Sequence, residues 1–423
     1  MKPLSVFLLS LSTLSVLPAA EPSTEPLPVD ALVADIVAHH PELAYYTAEI
    51  DAAKAGRKTS ATLAPPELSL EVGRKRVHDA AGNFAGEGAT WSVSLAQTFE
   101  WPGRLALRKA IGNRQVELAE LGLARFQRAL AARARTLAFG LYGAQAKATA
   151  IREVADRFAT LKETFLAREP AGITPQLETK VIEARELVLQ RRAVDAELAL
   201  QAALVELNQL RGSPANAPLR IAAARLAFHD APPFAELFAT AREQNFDFKL
   251  KRVELAQQGI EVQLARHERQ PAVTVSPFYS QEKAADREKT VGIGLSLPLP
   301  VGPRACGAGD VAEARRRQAE AAVLTAEREL ERDVLIAAHA FATRVAETRR
   351  WTGSAAEQFR EAAALADRHY RLGAVPVTTY VELQDSYLDA TEALLDTQRD
   401  ALESGLRLQQ LTGGNFTPVE VTP

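Results

Sequence analysis

The sequence predicts a mainly α-helical fold of long antiparallel hairpins, joined to a small share of β structure. Three observations predict it. Positions 104–169 and 310–371 contain no proline, and apolar residues such as Leu118, Leu121, Leu130, Leu137 and Leu141 recur at helical spacing. At 1.5 Å per residue, each run makes a rod of roughly 100 Å. Positions 91–101 alternate instead with period two. Trp91, Val93, Leu95, Phe99 and Trp101 fall on one side, and Ser92, Ser94, Ala96, Thr98 and Glu100 on the other. The same order of helix, hairpin, long helix, turn and helix then recurs about 200 positions later.

Taken in order, positions 1–20 carry Lys2, an apolar run and the small pair Ala19-Ala20, the pattern of a cleavable secretory signal peptide. Positions 21–29 are proline-rich and read as a linker. The first repeat occupies 30–212. Asp30 is expected to cap a short helix ending near His39, and Pro41 opens a helix running to about Leu63, where Pro65-Pro66 stops it. Strands follow at 67–77 and 91–101 around a glycine-rich loop, with Leu68, Leu70 and Val72 on one face of the first. The dipeptide Pro102-Gly103 breaks the second strand. A long helix at 104–169, a tight turn and a partner helix at 174–211 complete the unit, which Gly212 ends.

A linker at 213–232 precedes the second repeat at 233–413. Its helices are expected at 234–244 and 246–270, with Pro271 as the stop. Its strands are expected at 272–280 and 290–299, its long helix at 310–371 and its last helix at 377–411. Asp310 with Glu313 fits a capping box at the start of that long helix. Positions 414–423 read as a C-terminal tail. The repeats agree in detail: Trp101-Pro102-Gly103-Arg104 matches Val301-Gly302-Pro303-Arg304, and Gly172 and Pro175 match Gly373 and Pro376. In each half the two shorter helices together nearly match the long one in length, so a straight two-helix-wide wall is expected.

The 423 residues carry a net charge of −3 and no basic stripe with interleaved aromatics, which gives no basis for nucleic-acid binding. Cys306 is the only cysteine, so no intrachain disulfide forms, and no cysteine follows the cleavage site to take an N-terminal lipid anchor. About ten residues of tilted strand cross a bilayer, with aromatic girdles at its two interfaces. Trp91, Phe99 and Trp101 suit those interfaces. The outward positions Val291, Ile293, Leu295, Leu297 and Leu299 are apolar, while Ser92, Ser94, Thr98, Gly292, Gly294 and Ser296 are small and polar. That partition fits a water-filled barrel. A soluble β-sandwich shares the alternation, but it offers no place for rods of this length. Four strands cannot close a barrel, and lipid does not tolerate an open sheet edge. Three copies give twelve strands, continued by a twelve-helix tube.

With these features in place, the chain resembles the TolC family of outer-membrane efflux proteins across about 29–413. The aromatic-Pro-Gly-Arg motif at 101–104 is similar to the heavy-metal branch of the CzcC/CusC type. The resemblance implies a homotrimeric channel-tunnel in outer-membrane lipid of a Gram-negative-type cell, extending into the periplasm. It also implies a periplasmic adaptor (membrane fusion protein) and an inner-membrane pump of the RND type, with heavy-metal cations as one candidate cargo. Pro102, Gly103 and Arg104, with Gly302, Pro303 and Arg304, become the strand-to-helix joints. The turns Pro170-Ala171-Gly172 and Arg371-Leu372-Gly373 become the adaptor-contacting tip. Glu382 and Asp385, three apart on one helix face, become candidates for the acids that ring the periplasmic aperture.

Other patterns carry little. His39-His40 point apart on a helix, and His78, His229, His267, His339 and His369 lack metal-ligand spacing. Met1 is the only methionine, so no thioether relay for Cu(I) is present. Gly292-x-Gly294 precedes no phosphate-binding helix start. No nucleophile–base pair is found, and neither enzymatic activity nor a cofactor is expected. Two alternatives stay open. One is a periplasmic coiled-coil adaptor or scaffold outside the membrane, though such adaptors bear one helical hairpin. The other is the same tunnel serving type I secretion or drug efflux.

Overall fold

A computed structural model describes residues 26–166, 173–222, 225–284, 286–299, 303–351, 355–414 and 416–422. Most of the described chain is helix. The first half contains α1 (Val29–His39), α2 (Glu42–Ser60), β1 (Glu67–His78), β2 (Phe84–Phe99), α3 (Arg104–Leu166) and α4 (Ile173–Arg211). The second contains β3 (Arg225–Phe228), α5 (Phe234–Gln244), α6 (Phe246–His267), β4 (Val273–Lys283), β5 (Arg287–Ser296), α7 (Pro303–Arg350), α8 (Ala355–Arg371), α9 (Val377–Leu411) and β6 (Val419–Thr422). With 63 residues, α3 spans roughly 95 Å. The shorter α2 and α4 pack along it, and α6 and α9 pack along α7. The halves meet where α3 lies against α6 and α9.

The core is divided along the rod into separate clusters rather than gathered in one place. Val29, Leu32, Val33 and Ile36 of α1 bury against Leu130, Ala134 and Leu141 of α3 and Leu207 of α4. A second cluster joins α5 and α6 to Val334 and Phe341 of α7 and Leu408 of α9. The third, toward the turn end, combines Ile151, Val154, Phe158 and Leu161 of α3 with Ile182 and Leu189 of α4 and Tyr380 and Leu388 of α9. A two-helix-thick wall leaves room for narrow seams only, and this explains the abundant buried alanine.

Several boundaries depart from the sequence reading. Pro28 takes the N-cap position of α1 with no side-chain cap, while Asp30 sits in the first turn, exposed and 3.4 Å from Arg135. An acid in the first turn serves the helix dipole without capping. The second long helix begins at Pro303, so Asp310 and Glu313 lie within it. Glu313 there accepts from Arg316 at 2.6 Å, and this arginine holds its carboxyl below the usual carboxylate range. That helix ends at Arg350 instead of running to 371, and α8 takes over at Ala355. Thr352, Gly353 and Ser354, which separate them in sequence and lie outside the described residues, are weak helix formers. The supposed linker and tail also pair: β3 and β6 form an antiparallel ribbon, Arg225 opposite Thr422 and Phe228 opposite Val419. Four-residue segments this short carry too little periodicity to be read as strands.

Candidate membrane hairpins, joint and helical tip

The strands β1, β2, β4 and β5 form one antiparallel sheet in the order β1-β2-β4-β5, with β1 and β5 at its edges. Both hairpins are longer than expected. β2 begins at Phe84, and β4 and β5 close around a short turn at Lys283 opposite Arg287. Register puts like with like. Leu70 faces Val93, Val93 faces Tyr279 and Tyr279 faces Val291, so one face is continuously apolar. Leu70 and Ile293 are 67% and 70% exposed, respectively, an arrangement unfavourable in water and natural in lipid. On the opposite face Thr98 and Thr274 share a hydrogen bond of 2.9 Å, and Ser92 donates to Glu71 at 3.3 Å. Trp91 stacks on Tyr279 with ring centres 5.2 Å apart near the hairpin end, while Phe99 and Trp101 stand half-exposed at the helix end.

At the joint Gly103 has φ +98°, a conformation that lets the chain turn out of the strand directly into α3. Arg104, 7% exposed, donates through Nε and Nη2 to the carbonyl of His267 at 3.2 and 3.0 Å and to that of Gln270 at 2.6 Å. The His267 carbonyl closes α6 and also accepts from the Gln270 amide at 3.0 Å, and Gln270 lies three residues beyond the helix. The guanidinium therefore fastens the first half's long helix to the second half's hairpin helix, at the terminus where a cation is favoured. Glu100 and Arg108 form an ion pair beside it. In the second half, Gly302 lies outside the described residues, and Pro303 and Arg304 form the first turn of α7.

At the other end, Pro170, Ala171 and Gly172 lie outside the described residues. Arg371 ends α8 and donates to Asp367 at 3.0 Å, and Leu372 is 75% exposed. Gly373, at φ +73°, ends the helix as its own amide reaches Tyr370 and the next amide reaches His369, both at 2.9 Å. The two aperture candidates occupy different settings. Glu382 is exposed, whereas Asp385 is half-buried and ion-paired with Arg185 of α4. One turn on, Asp389 lies 3.5 Å from Arg192.

Beneath them lies a polar core absent from the sequence reading. Gln384, fully buried, donates to the carbonyl of Ala363 at 2.7 Å and accepts from Arg157 at 3.1 Å. Tyr380 is also fully buried, between Tyr370 and Phe158, each with its ring centre 5.1 Å away. Burial, with Glu178 nearby, pushes the Tyr370 phenol up to about 12, and burial raises Tyr380 further. The spacing of Tyr380, Gln384 and Tyr387 marks one face of α9 and offered a signal for this cluster. No local pattern points to Arg185 or Arg157. Among the described residues, no group of three or more His, Cys, Asp or Glu is placed to hold a metal ion, and no helix is long and apolar enough to cross a membrane.

An exposed apolar sheet face, a polar opposite face and a long helical wall are what a channel-tunnel subunit in a membrane requires. Comparison with known proteins agrees. Residues 237–414 match the family described as outer membrane efflux protein. Among solved structures, a membrane protein from Pseudomonas aeruginosa is 20% identical, with TM-score 0.75, covering 91% of this chain and 90% of its own. The CmeC outer membrane channel of Campylobacter jejuni is 15% identical, with TM-score 0.74, covering 92% and 86%. CusC, solved in a study of folding and transmembrane channel formation, is 16% identical, with TM-score 0.72, covering 95% and 96%. No curated protein matches the sequence. The chain therefore shares the fold of these outer membrane channels, and its second half matches the outer membrane efflux protein family.

Proposed function

We propose that three copies close a twelve-stranded barrel in the outer membrane, and that their helices continue as one tunnel into the periplasm. The observation that carries this reading is the four-stranded sheet, apolar on one face and unpaired at both edges, β1 and β5. Lipid cannot hydrate those edge amides, so neighbouring copies must pair with them. A second unpartnered surface agrees. Leu187, Val194, Leu198 and Val205 stand exposed at intervals of seven, four and seven residues along α4, and a neighbouring copy would cover them.

The tunnel is a passive duct whose energy comes from an inner-membrane pump of the RND type, reached through a periplasmic adaptor. Its adaptor contact is the tip around Arg371, Leu372 and Gly373, with Pro170, Ala171 and Gly172 of the matching turn. Leu372 supports this by exposing a large apolar side chain at the end of the rod. Glu382, with Asp385 behind it, gates passage at the narrow end by attracting cations. For cargo, we carry forward heavy-metal cations, on the Trp101–Arg104 resemblance alone. Fractionation tests the reading. Recovery in the outer membrane as a heat-modifiable trimer is expected, and recovery in the soluble periplasm after osmotic shock would remove it. Cargo is tested by deletion: increased sensitivity to divalent metal salts, without increased sensitivity to detergents or dyes, is expected.

A further inference from the structure

We propose that the outward face of the hairpin ends binds phosphate-bearing headgroups of anionic lipid in the outer leaflet. This rests on reading the sheet as the membrane-crossing part, with the hairpin ends outside because the helices leave from the opposite end. The starting observation is how strand alternation sorts charge. On β5, Arg287 and Lys289 continue the face of Val291 and Ile293, while Glu288 continues the face of Thr290 and Gly292. On β4, Lys283 shares the face of Tyr279, and Glu282 takes the other. On β1, Arg74 and Arg76 follow Leu70 and Val72 outward, and Lys75 turns inward. The outward positions therefore carry mostly cations and the inward ones mostly carboxylates, with Glu87 outward and Lys75 inward as the exceptions.

The two faces also differ in how their charges are met. Inward, Lys75 is ion-paired with Glu282 and lies 3.7 Å from Glu288. Outward, Arg74 and Arg76 share the single carboxylate of Glu87, at 3.1 and 2.9 Å. Lys283, Arg287 and Lys289 are exposed, and among the described residues none of them forms an ion pair. Register places Lys283 opposite Arg287 and Lys289 opposite Gln281, so the three cations form one cluster across a hairpin. Trp91, opposite Gln281, lies in the same row as Lys289 and at the upper limit of the apolar face.

Depth then decides the partner. Aromatic rings of this kind mark the membrane–water interface, so a cluster beginning in their row and extending one row beyond lies at headgroup level. Cations there meet lipid phosphate, and basic clusters beside a bilayer gain affinity for anionic headgroups with each added charge. The same face at the helix end carries Phe99, Trp101, Leu297 and Leu299 instead, so the basic excess belongs to one leaflet. Charges needed only for solubility would not be sorted by sign between two faces. The partner is a phosphorylated, anionic lipid, held by arginine forks and lysine ammonium groups.

The test uses the full-length assembly in nanodiscs, probed with a bisphosphorylated glycolipid and with the same lipid dephosphorylated. Native mass spectrometry is expected to show at least tenfold preferential retention of the phosphorylated form. In Lys283→Gln/Arg287→Gln/Lys289→Gln the preference should fall to within twofold, and Lys283→Arg/Lys289→Arg should keep it. Equal retention of both lipids by the unaltered protein, which does not depend on how any variant folds, would overturn the proposal. So would full displacement of the lipid by millimolar inorganic phosphate, since the site would then recognise the free anion. Recovery of the chain from the soluble periplasm would instead remove the membrane reading itself, whereas insertion without lipid preference removes only this proposal.

Discussion

The sheet end and the tip end satisfy opposite requirements. At the sheet, Leu70, Val72, Val291 and Ile293 are exposed in the single chain, so what covers them must come from outside it. At the tip, Tyr380, Gln384 and Phe158 are fully buried by α3, α8 and α9 of the same chain. The difference teaches where each region gets its stability. On the proposed reading, the sheet depends on lipid and neighbouring copies. The region beneath the tip turns carries its own core and reserves its surface, including Leu372 and Glu382, for other contacts.

Each end can be perturbed separately. The largest effect is expected from Tyr380→Ala, which removes a buried ring and should cost about 3–5 kcal/mol, read from denaturant unfolding of the helical signal. Barrel assembly in lipid should change less. The opposite outcome is expected for Ile293→Arg. A cation on the lipid face near the midplane costs about 2–4 kcal/mol, seen as a lower temperature for loss of the assembled band, with helix content retained. Equal effects of both variants on both readouts would erase the distinction. The joint that couples the ends should give a smaller effect. Arg104→Met removes the side-chain donor to the Gln270 carbonyl and leaves that of His267 with the Gln270 amide alone, a loss of about 1–3 kcal/mol, with amide exchange rising first at the end of α6.

Alkaline pH sharpens the same contrast. Tyr370 has its folded value raised from 10.0 to about 12, so above about pH 10 the unfolded chain ionises more readily than the folded one and unfolding is favoured. Its stabilising contribution is full below about pH 10 and is lost as pH rises toward 12. Opening of the tip half should therefore begin in that window, ahead of the sheet, and Tyr370→Phe should flatten the dependence. The smallest effects concern charge. Glu382→Gln should blunt block of single-channel current by divalent cations more than Asp385→Asn does, because Arg185 already neutralises Asp385. Equal blunting would place both acids in the lumen as free charges.

Legibility followed the same division. The strand faces, the joint at Pro102-Gly103 and the proline-free helices could be read in the sequence, because period and backbone punctuation are local properties. The cap assigned to Asp30 and the box at Asp310 failed because α1 begins at Val29 and α7 at Pro303, so both acids lie inside their helices. The β3–β6 ribbon was missed because its strands, four residues each, lie almost 200 positions apart. At the candidate site, Glu382 and Asp385 could be named from the family resemblance, and their spacing put them on one helix face. The arginine that separates their roles could not, since Arg185 reaches Asp385 from another helix 200 positions away.

The central claim is that β1 of one copy pairs with β5 of the next until three copies close. These strands are the two outer edges of one sheet, so a bond between them must join different copies. The direct measurement is a cysteine scan in a Cys306→Ser background, combining Leu70→Cys with Val291→Cys, Ile293→Cys or Leu295→Cys in turn. Oxidation in outer membranes should yield, at one register, a ladder that ends at three copies. A ladder that continues past three, or no cross-link at any register in membrane-inserted protein, would contradict the account.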